Sequence, residues 1–200
     1  MTRKQRIEEV LKYLGNVMDD TETELDYTTP FELLIAVMLS AQCTDKRVNI
    51  VTPPLFAAYP TAAALADATV DEVFAYIKSV SYPNNKAKHL VAMAKMLVEK
   101  HAGEVPTMLE ELTALPGVGR KTANVVMAVA FGKAALAVDT HVYRVSHRLN
   151  LVPKDATTPY AVEKALRKYI PDATVAASHY WLLLHGRYTC TARNPKCDGC

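Results

Sequence analysis

Net charge is almost absent from this chain. It has 23 basic residues against 21 acidic, for a formal charge of +2 over 200 residues. That balance excludes a protein that holds a polyanion by bulk charge, so any nucleic-acid contact has to come from locally clustered lysines and arginines. Long apolar runs are also missing. No stretch approaches the roughly 18 uninterrupted apolar residues of a membrane span, so no membrane association is expected. The N-terminus, MTRKQRIEEVLKYLGNV, alternates charged and apolar residues at helical spacing and lacks the apolar core of a secretory signal. Cysteine is scarce and unevenly placed: of four, Cys190, Cys197 and Cys200 crowd one end while Cys43 stands alone. A disulfide scaffold needs pairs scattered through the chain, whereas one tight terminal cluster points to a metal site in a reducing compartment. These absences together predict a cytoplasmic protein.

Half of the residues are hydrophobic, enough for one large domain or two small lobes. Their dominant period is helical. Ile7, Val10, Leu11 and Leu14 make one stripe, and Pro30 opens the run FELLIAVMLSAQ. Asp71 is read as the start signal for VFAYIKSV and Asn85 as the one for KAKHLVAMAKMLVEKHAG, which Gly103 closes. Thr107 with Glu110 reads as a capping box before MLEELTAL, and the remaining prolines are placed in connections such as TPP and AYP. Only short runs such as AALAV could pass for strands, with no alternating pair joined by a hairpin turn. The fold class expected is all-α.

The segment 115–126, LPGVGRKTANVV, carries the strongest local signal. One helix ends near Leu115, the chain turns through Pro116-Gly117-Val118-Gly119, and Arg120 or Lys121 starts the next. Glycine permits positive φ and close approach of another molecule to the backbone. Free amides at a helix start, with its dipole, make an anion site. This arrangement resembles the helix-hairpin-helix motif, which grips a DNA phosphate through backbone amides without reading bases. A tight corner between helices with no ligand is the bland alternative. The two basic residues directly after the glycines favour phosphate. An ammonium at the positive end of a helix dipole, and partly buried, has its pKa lowered, so Lys121 is a candidate imine-forming nucleophile. Asp139, in AVDTHVYRVSHRL, reads as a helix N-cap. It reads equally as a carboxylate facing Lys121 across a cleft, and both roles can hold together.

The stretch LPGVGRKTANVVMAVAFGKAALAVDTHVYRVSHRL, followed by HYWLLLHGRYTCTARNPKCDGC, resembles the endonuclease III family of helix-hairpin-helix DNA glycosylases. The likeness extends back through FELLIAVMLSAQCTD and so covers nearly the whole chain. It implies two helical lobes with a DNA-binding cleft between them. Residues 25–133 would carry the hairpin (about 115–121), and residues 1–24 with 134–200 would form the cluster lobe. It also implies a base-excision-repair glycosylase with abasic-site lyase activity, removing oxidised pyrimidines from double-stranded DNA. Lys121 would form a Schiff base with the sugar and Asp139 would assist. DNA-binding positions carried over are Gly117, Val118, Gly119 and Arg120 of the hairpin. Gln42 would fill the gap left by a flipped base and Tyr82 would stack in the helix, although the family commonly has a leucine-containing triplet where Ser81-Tyr82-Pro83 stands here. Arg187, Arg193 and Lys196 would meet the phosphate backbone.

Cys190, Cys197 and Cys200 have the spacing C-x6-C-x2-C, and the resemblance implies that they ligate a [4Fe–4S] cluster, whose fourth cysteine in the family follows five residues further on. The sequence stops at Cys200, and a truncated tail is the expected reason. Zinc, with His185 as fourth ligand, is the minor alternative. His141, His147 and His179 are expected to be satisfied histidines, and Cys43 and Trp181 core residues. A monomer is expected. Rival readings are a monofunctional adenine-mismatch glycosylase, a non-catalytic hairpin DNA binder, and an electron carrier built on the cluster.

Overall fold

The structure is a computed structural model and describes residues 1–18 and 22–200. Among the described residues it is helical throughout, with no strand. The α-helices are α1 Arg3–Val17, α2 Pro30–Ser40, α3 Asp45–Ala58, α4 Ala62–Ala66, α5 Val70–Ile77 and α6 Pro83–His101. They continue with α7 Leu109–Ala114, α8 Arg120–Phe131, α9 Thr140–Arg148, α10 Pro159–Arg167 and α11 Val175–Leu184. A short 3₁₀ turn, Asp172–Thr174, precedes α11, and a π-turn, His185–Thr189, follows it.

Threonine starts most of these helices. Thr2, Thr29, Thr44, Thr61, Thr69 and Thr158 each accept a backbone N–H of the first turn through the side chain. Each such cap contributes about 1 kcal/mol. At two of them, Thr2 with Gln5 and Thr69 with Glu72, a reciprocal capping box forms.

Several expected helix starts are corrected. Thr69 caps α5, and Asp71 lies inside its first turn, where its charge still suits the dipole. Asn85 lies within α6, which begins at Pro83 behind Tyr82. Proline at the first helical position costs no hydrogen bond and overrides the weaker asparagine signal. The cap of α7 is Met108, one residue beyond the expected Thr107, and it makes no side-chain cap bond of its own. Pro53 and Pro54 lie inside α3, not in a connection. Burial of Val48, Val51 and Leu55 holds that helix together against the roughly 3 kcal/mol cost of an interior proline.

The chain divides into two compact units, Glu24–Phe131 and Met1–Thr23 with Gly132–Cys200. In the first unit α2 is the central element: every residue from 33 to 39 is buried, so the helix is apolar all round. Helices α3, α6 and α8 pack on it, α4 and α5 pack on α6, and α7 packs on α8. In the second unit α1 and α9 pack on α11. Its core joins Ile7, Leu11 and Leu14 to Leu136, Val142, Val145, Leu166, Val175 and Leu182. The AALAV run is not a strand; residues 135–138 are buried in irregular backbone that leads to α9.

Candidate active site and nucleic-acid interface

The hairpin joins α7 to α8 through residues 115–119. Val118 N–H donates to the Leu115 carbonyl (3.1 Å), and Ala123 N–H donates to the Gly119 carbonyl (2.9 Å), which starts α8. The two glycines have different reasons to be there. Gly117 has φ +79°, and a Cβ added to it would sit 2.7 Å from Cβ of His89 on α6. Both backbone and neighbour therefore demand glycine. Gly119 has no such φ, and an added Cβ would meet nothing within 4 Å. Nothing within the chain requires glycine at that point. Val118 is buried and anchors the turn, so only its backbone remains for a ligand. Arg120 and Lys121 are exposed in the first turn of α8. The partial burial expected of Lys121 is not found, because its side chain projects from the helix start and the buried face of α8 belongs to Ala123, Asn124, Val125 and Val126.

Asp139 is the N-cap of α9. Its Oδ1 accepts from His141 N–H (2.9 Å) and Val142 N–H (2.8 Å). One oxygen takes both cap bonds, so Oδ2 takes no part in the cap. The carboxylate is fixed in place on the end of a helix dipole that favours its charge.

Gln42 and Tyr82 share an unusual backbone. Both are exposed, and both lie in the left-handed region, with φ +54° and φ +53°. A residue other than glycine pays about 1–3 kcal/mol there unless the surroundings enforce it. The enforcing group is one that sequence reasoning missed. Lys86, on α6, is buried, and its ammonium donates to the Leu39 and Ala41 carbonyls (both 2.7 Å) and to Ser81 Oγ (3.1 Å). Ser81 Oγ donates in turn to the Ala41 carbonyl (3.0 Å). The last carbonyls of α2 thus receive the cation that a helix C-terminus favours. Burial pushes the Lys86 pKa below the ordinary lysine value, and the nearby Cys43 thiol opposes that shift. The signal available in the sequence was periodicity: Lys86 falls one turn before Leu90, on the apolar face of α6. Cys43, expected in the core, is only half-buried because the chain turns outward after α2.

The cysteine segment is held by α9. Arg144 donates to the Gly186 carbonyl (2.8 Å) and the Cys190 carbonyl (3.1 Å). Arg148 donates to the Thr191 and Ala192 carbonyls (2.7 and 2.9 Å) and to Cys190 Sγ (3.4 Å). An added Cβ at Gly186 would lie 2.9 Å from Cβ of His141, so glycine lets the π-turn close onto α9. Cys197 and Cys200 are exposed, as are Arg193 and Lys196, while Arg187 is half-buried. Cys200 Sγ stands 3.9 Å from Nε2 of His185, whose pKa burial lowers. Yet among the described residues no group of three or more His, Cys, Asp or Glu side chains is gathered closely enough to hold a metal ion. The histidines meet expectation: His147 pairs with the Ala156 carbonyl, His179 with that of Ala137, and His141 with Arg144. Trp181 is half-buried, with Gly15 packed on its ring.

A helical hairpin with a glycine turn is thus followed by an exposed lysine and, further along the chain, by a helix-capping aspartate. The chain belongs to the HhH-GPD superfamily of base excision DNA repair proteins, whose profile its residues 35–172 match. More particularly, it is 48% identical to endonuclease III of Haemophilus influenzae and 45% identical to endonuclease III of Escherichia coli (strain K12). Each alignment covers 100% of this chain and 93% of the relative. Its fold superposes on a solved structure of a trapped endonuclease III–DNA covalent intermediate with a TM-score of 0.95. There the identity is 46%, over 100% of this chain and 93% of that one.

Proposed function

We infer that this protein removes oxidised pyrimidines from double-stranded DNA and cleaves the strand at the resulting abasic site by β-elimination. The observation that carries the reading is the exposed primary amine of Lys121 in the first turn behind a glycine hairpin, in a chain 45–48% identical to endonucleases III along its whole length.

The hairpin amides hold a phosphate and Lys121 attacks the sugar C1′. The C1′–N bond breaks and its electron pair leaves with the base, which gains a proton. The resulting amine–sugar adduct opens to an iminium ion. Loss of a C2′ proton then expels the 3′ oxygen, and water releases the enzyme from the nicked product. We assign Asp139 the carboxylate role: accepting the proton from the lysine ammonium and offsetting positive charge on the sugar. Its cap bonds keep it oriented for that task. Gln42 and Tyr82 are assigned to the base stack, Gln42 to the orphaned partner base and Tyr82 as an aromatic wedge. Arg120, Arg187, Arg193 and Lys196 contribute salt-dependent phosphate contacts.

The thiolates of Cys190, Cys197 and Cys200 are proposed to hold an iron–sulfur cluster, supported by their spacing and by family membership. A bound cluster would supply a rigid frame for the basic loop between them, and no step above passes through it. Iron and sulfide analysis of the purified protein tests it; stoichiometric zinc with no iron would overturn it. Among the described residues no helix is long and apolar enough to cross a membrane. We propose nucleoid-associated DNA in the cytoplasm as the site of action, a reading supported by the likeness to endonucleases III.

The test of the activity is strand cleavage of two duplexes, one with an oxidised pyrimidine and one with an abasic site. The expectation is a nick in both. Base release without a nick would favour the monofunctional alternative, and binding without either product would favour a plain hairpin DNA binder.

A further inference from the structure

We infer that Lys86 is a positioning residue that locks residues 41–42 and 81–82 into one rigid wedge, and that this lock governs how readily a paired base is extruded. The inference rests on the reading above, in which Gln42 and Tyr82 enter the base stack.

Its grounds are the bonds of one side chain. An ammonium has three protons, and here each has an acceptor: the Leu39 carbonyl, the Ala41 carbonyl and Ser81 Oγ. Ser81 closes the ring by donating to the Ala41 carbonyl. The main chain of the same residue holds the second loop, since Lys86 N–H donates to the Tyr82 carbonyl (3.1 Å). Two loops forty positions apart in sequence are therefore tied together directly beside Gln42 and Tyr82.

Stability alone does not call for a lysine there. The position faces the apolar side of α6, among Ala87, Leu90 and Val91. Its partners are two carbonyls and a hydroxyl, with no carboxylate among the described residues. Replacing buried charge by apolar side chains of similar volume is often neutral or stabilising. What an apolar residue could not do is hold two exposed, left-handed residues in register. Strained conformations persist only where the surroundings over-determine them. A wedge that can relax back to ordinary φ does less to resist re-entry of the extruded base, so its loss appears as a larger penalty for opening a base pair.

The experiment measures single-turnover excision of thymine glycol from two duplexes, with the lesion opposite adenine or opposite an abasic analogue. In the second duplex the lesion is already unpaired, so extrusion costs little. Lys86→Met keeps the stem and removes the donors. Ser81→Ala keeps the amine and both its carbonyl bonds while removing the two side-chain bonds of Ser81 to the Lys86 ammonium and the Ala41 carbonyl, and it carries the test if Lys86→Met fails to fold. We expect Lys86→Met to slow excision about tenfold on the paired duplex, equivalent to about 1.4 kcal/mol. On the unpaired duplex we expect a change within about twofold, since a bond lost to the wedge matters little there. Ser81→Ala is expected to lose about threefold, on the paired duplex alone. Equal losses on both duplexes would show a merely structural role and overturn the inference, as would wild-type rates from both variants. If wild-type protein releases no base and forms no borohydride adduct, the underlying reading falls, and the inference with it.

Discussion

The two glycines of the hairpin make a matched pair of perturbations with opposite outcomes. In Gly117→Ala the new Cβ meets a left-handed backbone, costing about 1–2 kcal/mol. It also lies 2.7 Å from Cβ of His89, an overpacking cost of about 1–3 kcal/mol. The sum, about 2–5 kcal/mol, is a large part of the roughly 5–15 kcal/mol that stabilises a domain. In Gly119→Ala the new Cβ meets nothing within 4 Å and φ is ordinary. The gain of about 0.4–1 kcal/mol from restricting the unfolded chain is offset by the poorer performance of alanine at a helix start. Stability should change by less than about 0.5 kcal/mol. DNA affinity should nevertheless fall by about tenfold or more, because a methyl group between the amides and a phosphate forfeits a charged hydrogen bond of about 1.5–3 kcal/mol. Urea unfolding with unchanged slope reads the first quantity. Fluorescence anisotropy on an abasic-analogue duplex at fixed salt reads the second. Gly119→Ala binding as tightly as wild type would refute the phosphate role of the hairpin, and an unchanged midpoint for Gly117→Ala would refute its packing account.

Other sites give independent expectations. Asp139→Asn keeps an oxygen for the cap bonds and should cost less than about 1 kcal/mol in stability, while lowering strand cleavage by about 100-fold or more. Similar losses in both assays would mean that the aspartate is only a cap. Arg144→Met removes donors from the Gly186 and Cys190 carbonyls and should cost about 3 kcal/mol, seen in urea unfolding; a loss under about 0.5 kcal/mol would mean that the π-turn holds without it. The Glu72 carboxyl is held below its ordinary value of 4.5 by the N–H and hydroxyl of Thr69. A depressed carboxylate contributes stability that is present above about 4.5 and lost as pH falls through the lower folded value. Glu72→Gln should flatten the acid limb of the stability curve, and superimposable limbs would contradict this.

The hairpin, the lysine at its exit and the capping aspartate were legible in the sequence because each is a local signal. Glycine, a basic pair and an Asp before a helical run act within a few residues. The helix start at Pro30 was legible from its proline, whereas the starts at Thr69 and Pro83 were passed over for Asp71 and Asn85. Lys86 was not legible as a clamp, because two of its three acceptors lie more than forty residues away and only folding brings them together. The same holds for Arg144 and Arg148, whose partners in the cysteine segment sit beyond residue 185. The left-handed Gln42 and Tyr82 carry no compositional mark either, since neither is the glycine that such backbone favours. The double proline of α3 was misplaced because tertiary burial overrode a strong local rule.

The account turns on a covalent imine between Lys121 and deoxyribose, which borohydride reduces to a permanent bond. Wild-type protein mixed with an abasic duplex and borohydride should yield a protein–DNA adduct stable in denaturing gels. Lys121→Gln, folded and still binding that duplex, should yield none. An adduct from Lys121→Gln at wild-type yield would contradict the assignment.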